Sequence, residues 1–105
     1  MAFARAATVS DVWEGEPFAC RVSGKPVLLV RFGADVVAYA DRCAHLGFAL
    51  SKGKLEGHVL TCGAHHWSFD ARSGAGLNPR DACLVRYPVR LEGDDVFVDV
   101  ELRAS

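Results

Sequence analysis

The chain has 105 residues, half of them hydrophobic, and its 12 basic and 13 acidic side chains leave a formal net charge of −1. That is one domain's worth of chain, residues 1–105, with no basic surplus for nucleic acid and no charged tail. The longest apolar run, residues 26–30, is far short of the about 20 residues that cross a bilayer, and no basic stretch followed by an apolar one opens the chain, so a cytoplasmic protein without an export signal is expected.

In chain order, Ser10 is expected to N-cap a single helical turn over residues 10–13, with Trp13 in the core. Strands follow at 18–22, 26–32 and 36–39, joined by Ser23-Gly24 and Gly33-Ala34-Asp35; β-branched runs broken by tight turns are the mark of a meander. Cys20 falls in mid-strand as a small buried apolar residue. Further strands are predicted at 54–56, 58–61, 67–69, 84–92 and 96–102, with His58 on a strand surface. Gly57 and Gly93-Asp94-Asp95 supply hairpin turns. Gly74-Ala75-Gly76 reads as a turn and not a phosphate loop, because no GK[ST] ending and no helix follow it. Many short strands at close spacing predict an all-β antiparallel sandwich or barrel.

Residues 43–53 and 62–66 fit no strand. They carry Cys43-Ala44-His45 and, after sixteen intervening residues, Cys62-Gly63-Ala64-His65. Each segment follows a predicted strand, so two ligand-bearing loops are expected at one end of a β scaffold. In a reducing compartment such cysteines are ligands or buried thiols before they are disulfides. One thiolate and one imidazole per loop is what a two-iron cluster of unequal ligation needs: two Cys on one iron, two His on the other. A structural zinc site uses the same residue types but pairs Cys with Cys and His with His; a zinc-stapled interaction module is the alternative of a different class. Cys/His nucleophilic catalysis lacks a third group and an oxyanion turn.

At these residues the chain resembles the Rieske ferredoxins. The likeness is carried by Cys43-Ala44-His45-Leu46-Gly47 and by Cys62-Gly63-Ala64-His65-His66-Trp67-Ser68-Phe69-Asp70. Gly76-Leu77-Asn78-Pro79 looks like that family's proline-bearing third loop. The resemblance implies a Rieske-type antiparallel β-sandwich or barrel with a cluster-binding subdomain formed by two loops. It implies one [2Fe–2S] cluster per chain, with Cys43 and Cys62 on the inner iron and His45 and His65 on the outer iron at the tip. Ala44, where many relatives have proline, does not touch ligation. With both irons filled, His66 suits either a partner contact or a solvated position, and Cys83 is a non-ligand thiol. High-potential relatives bridge the two loops with a disulfide at the positions of Phe48 and Ala64, and place Ser and Tyr hydroxyls where Trp67 and Phe69 stand here. The bridge and both hydroxyls are therefore missing, and a potential near the bottom of the Rieske range is implied.

Residues 10–15, 55–62 and 77–84, with Tyr87-Pro88-Val89 and Gly93-Asp94-Asp95, are similar to the ferredoxin component of multicomponent diiron monooxygenases of the toluene type. That likeness implies an electron carrier rather than an enzyme, passing single electrons from an NADH-dependent flavoprotein reductase to a diiron hydroxylase of aromatic or alkene substrates. It is expected to be a monomer when free and to dock near Trp67, Phe48, His45 and His65. Leu46 and Leu77 would add apolar surface there, and Arg42, Lys52, Arg72 and Arg80 positive charge. Trp67 suits either the core or the docking rim. The nearest alternative is the ferredoxin of a ring-hydroxylating dioxygenase, followed by the small subunit of an assimilatory nitrite reductase.

Overall fold

Val27-Leu28-Leu29-Val30 is buried at all four positions of the strand Lys25–Phe32 (β3). A strand with water on one face alternates apolar and polar residues; a continuous apolar run marks a strand covered on both faces. The two faces feed two different cores. Val27 and Leu29 join Val12, Val22, Ala38, Val96 and Val98 in one. Leu28 and Val30 join Tyr39, Leu50, Leu55, Leu60 and Phe69 in the other.

The computed structural model describes residues 3–41, 50–61, 67–78 and 84–101. Among them are eleven strands, two 3₁₀ turns and no α-helix. The middle layer is β2 (Phe18–Val22), β3, β4 (Asp35–Ala40) and β9 (Arg86–Tyr87), hydrogen-bonded in that order. One face carries the sheet β1 (Ala4–Thr8), β11 (Asp95–Val98), β10 (Val89–Glu92). The other carries β5 (Lys54–Glu56), β6 (Val59–Thr61), β7 (Ser68–Asp70) and β8 (Gly76–Asn78). All pairings are antiparallel. The β2–β3 hairpin turns on Ser23-Gly24, both at positive φ (51° and 80°), the conformation that two-residue hairpin loops favour.

Several expectations are corrected. The opening turn is a 3₁₀ helix over Val9–Asp11 flanked by Thr8, not a turn capped by Ser10; Thr8 Oγ1 donates instead to Asp11 Oδ2 at 2.7 Å. Val12 turns inward from it, so its neighbour Trp13 points out and is 66% exposed rather than core. The predicted strand 84–92 is two strands in two sheets. Pro88 has no N–H to donate to a ladder, and the chain leaves β4's edge there to begin β10 beside β11. The last strand stops at Val98, with Asp99 buried and accepting from the Glu101 N–H at 2.9 Å. β1 and β8 carry no strong alternation and were not expected as strands. His58 lies in the β5–β6 turn, and Gly76 opens β8 instead of closing a turn.

The layers are tied through Tyr39, which is fully buried and donates its hydroxyl to the Ala71 carbonyl at 2.7 Å. Burial pushes its phenol up to about 12, against the opposing effect of Arg86 and with a smaller push from Asp70. Tyr39→Phe leaves that buried carbonyl unpaired and should cost about 1–3 kcal/mol in urea unfolding. The raised value also fixes a sign: the phenol's contribution is intact below pH 10.0 and is lost as pH climbs through about 12. Tyr39→Phe should accordingly flatten the stability loss in that alkaline window.

Candidate metal centre

Cys43, His45, Cys62 and His65 lie outside the described residues, as do Arg42, Leu46, Phe48, Ala64, His66, Arg80 and Cys83. What the structure describes is where the segments bearing them leave and return. In the β5–β8 sheet Lys54 pairs with Thr61, Thr61 with Ser68, and Ser68 with Asn78. These four residues form one row along one end of the sheet. Thr61 immediately precedes Cys62, Trp67-Ser68 receive the chain after His66, and Asn78 precedes Pro79.

The chain after the first Cys/His segment returns to the same end. It re-enters through the 3₁₀ turn Leu50–Lys52, closed by the Gly53 N–H on the Leu50 carbonyl at 2.9 Å. Gly53 lies so close to Thr61 that a Cβ would fall on the Thr61 carbonyl. The exit of one Cys/His segment therefore abuts the entrance of the other. Leu50 and Leu84, both buried in the second core, anchor the chain where segments 42–49 and 79–83 return, and the Leu84 N–H donates to the Gly74 carbonyl at 2.8 Å.

A second tie closes the base of the first segment. Asp41 is 7% exposed. Its Oδ1 accepts from the Ser51 N–H at 2.8 Å and its Oδ2 from the Ser51 hydroxyl at 2.7 Å. Hydrogen bonds to a charged group contribute about 1.5–3 kcal/mol each, so residues 41 and 51 are held firmly across segment 42–49. The Asp41 N–H donates to Pro26 at 3.1 Å, fixing the clasp to the end of β3. Neither residue emerged from the sequence: an Asp at a strand end and a Ser ten positions later share no local signal.

Among the described residues no group of three or more His, Cys, Asp or Glu could hold a metal. Cys20 is half-buried on β2 and packs against the first core. Burial and, second, the Asp41 charge push its thiol up to about 11, which keeps it protonated and unreactive. Trp67 is half-buried and packs against the second core, so it serves the core in part. Leu77, 45% exposed on β8, is open beside segment 79–83. Lys52 is exposed at the root of the first segment. Arg72 belongs elsewhere: it follows β7 at the end away from Ser68, with its guanidinium 5.1 Å from the centre of the Phe32 ring. It is not a charge of the end where the Cys/His segments are rooted.

Residues 2–88 match the family model of the Rieske [2Fe-2S] domain. The chain is 38% identical, over 94 residues, to the ferredoxin component of the alkene monooxygenase system of Xanthobacter autotrophicus, covering 89% of this chain and 77% of that protein. It is 36% identical, over 102 residues, to the ferredoxin component of biphenyl 2,3-dioxygenase from Rhodococcus jostii, covering 96% and 95%. Its fold matches the ferredoxin of carbazole 1,9a-dioxygenase from Nocardioides aromaticivorans IC177 with a TM-score of 0.83 at 30% identity, over 93% and 97% of the two chains. Layered antiparallel sheets with two Cys/His segments rooted at one end are the plan of a small iron–sulfur protein. The chain belongs to the Rieske [2Fe-2S] family, and its cofactor is a Rieske-type [2Fe–2S] cluster.

The contact between the two roots has a direct test. Gly53→Ala puts a methyl group onto the Thr61 carbonyl and should cost about 2 kcal/mol or more in urea unfolding, with a lower iron content per purified chain. Stability and iron both at wild-type values would show that the roots need no close approach.

Proposed function

We propose that Cys43, His45, Cys62 and His65 bind the cluster and that the chain is an electron-transfer ferredoxin, a carrier component with no substrate chemistry of its own. The observation that carries this reading is the row Lys54–Thr61–Ser68–Asn78, from which both Cys/His segments are rooted. The reading takes residues 1–105 as one domain, supported by β1 pairing with β11, Ala4 opposite Val98, so that the two ends of the chain share a sheet.

The donor set fits the group. Two thiolates suit one ferric iron, and two neutral imidazoles on the other remove negative charge from the site. When bound, the cluster accepts and releases one electron at a time. The chain's part is to hold the ligands: Leu50 and Leu84 anchor returning chain in the second core, and Asp41 and Ser51 close the first segment's base. A frame held this firmly limits the rearrangement that accompanies a change of charge.

As partners we propose an NADH-dependent flavoprotein reductase and a diiron hydroxylase, met in turn by a monomer through a small, short-lived interface near Trp67, Phe48, His45 and His65. The alkene monooxygenase relative supports the hydroxylase. A second reading, service to a ring-hydroxylating dioxygenase, is supported by the biphenyl dioxygenase relative. A cytoplasmic location goes with either. Among the described residues no helix is long and apolar enough to cross a membrane.

Cys43→Ser and Cys62→Ser should lose or strongly perturb the visible spectrum of the cluster, and Cys20→Ser and Cys83→Ser should keep it; zinc without iron after anaerobic purification would refute the ligand set. Redox titration should give a midpoint of roughly −150 mV, the low end for Rieske centres, and a clearly positive value would contradict the missing hydroxyls and bridge. To separate the partners, the reduced protein is mixed with a diiron hydroxylase and with a Rieske dioxygenase from the same organism. Fast oxidation by the hydroxylase is expected, and oxidation by the dioxygenase alone would transfer the assignment.

A further inference from the structure

We propose that Asp41 is a positioning residue whose carboxylate, aimed by Ser51, sets the cluster's redox balance as a fixed negative charge. The inference rests on the assignment of Cys43 and His45 as ligands. Asp41 is buried, and among the described residues no Lys or Arg is paired with it. Among the described residues its oxygens are served by two donors, both on Ser51. Only two peptide units separate it from Cys43, so covalent geometry alone keeps the two Cα atoms within about 7 Å.

Reduction would add one electron, and hence one negative charge, to a cluster held through Cys43, two residues along the chain from that carboxylate. Like charges at short range in a partly dry environment repel, so Asp41 disfavours the reduced state. The Ser51 hydroxyl and N–H spread part of its charge and hold its direction. The Cys20 thiol, which lines the same groove as Asp41 and Ser51, feels the same field, since Asp41 is one of the two causes that raise it.

A clasp that only stiffened the loop would respond alike to either partner's loss. A charge held by a donor would not. Asp41→Asn keeps the shape, removes the charge, and should raise the midpoint potential. About tenfold in the reduction equilibrium is expected, about 59 mV for one electron. Ser51→Ala strips one donor from a charge that remains and should lower the potential, by about threefold in the same equilibrium. Ser51→Thr keeps the hydroxyl and should restore the wild-type value.

The experiment titrates the holoproteins at one fixed pH with dithionite, one electron per cluster, following visible absorption. Opposite shifts for the two variants, with Ser51→Thr at wild type, support the inference. Equal midpoints, or shifts of the same sign, overturn it. If Asp41→Asn does not hold its cluster, the Ser51→Ala and Ser51→Thr pair decides: a fall rescued by Thr supports the inference, and no fall overturns it. The ligand assignment fails in a different way. A wild-type protein without a Rieske absorption and electron paramagnetic resonance signature overturns both, whereas that signature with unmoved potentials overturns only the role of Asp41.

Discussion

One strand dry on both faces holds the structure together. Because β3 buries Val27 and Leu29 on one side and Leu28 and Val30 on the other, a sheet must cover each face, and burial of apolar area is the dominant favourable contribution to doing so. The cover on the second side is made of strands three residues long. Such strands cannot stand alone. They are held because Leu55, Leu60 and Phe69 lie side by side across the sheet and enter the core that Leu28 and Val30 open. Tyr39 then adds a directional bond between layers whose apolar contacts have none.

The placement of the roots of the Cys/His segments follows from that meander. In consecutive antiparallel strands, every second connection lies at the same end. The β5–β6 turn at Gly57-His58 and the residues after Asp70, including Arg72, occupy one end. At the other end lie Lys54, Thr61, Ser68 and Asn78, where the chain returns from segment 42–49, leaves for and returns from segment 62–66, and leaves for segment 79–83. Short strands keep the two ends close, yet they differ: the Cys/His segments are rooted at one, while the other carries Phe32 flanked by the edge-on ring of His58 and the guanidinium of Arg72. Each Cys/His pair belongs to a different connection, and the sheet registers, not local chain geometry, bring the roots of those connections to one end.

Much of this was legible because its signals are local. Cys43 with His45 and Cys62 with His65 are recognisable pairs at short range, and the β2–β3–β4 meander is written in β-branched runs broken by Ser23-Gly24 and Gly33. What escaped depends on contacts distant in sequence. β1 is an alanine-rich stretch that becomes a strand because Val96 and Phe97 offer it an edge. The single strand expected over 84–92 is divided at Pro88, which moves the chain between sheets. Trp13 is expected in the core, but the turn at Val9–Asp11 directs Val12 inward and leaves the indole out. Arg72 is near the second ligand segment in sequence and at the opposite end of the sheet in space. Asp41 and Ser51 meet only once β4 and the Leu50 turn are both in place.

We propose two thiolates and two imidazoles, from two segments rooted at one end of the β5–β8 sheet, as the ligands of a single [2Fe–2S] cluster. Pulsed electron paramagnetic resonance of the dithionite-reduced protein, with histidine labelled by ¹⁵N, reads this most directly. Two strongly coupled histidine nitrogens are expected on the reduced centre, with one of them lost in a His45 or His65 variant and neither lost in a His66 or His58 variant. A reduced centre with no strongly coupled histidine nitrogen, or one whose couplings disappear on replacing His66 or His58, would contradict it.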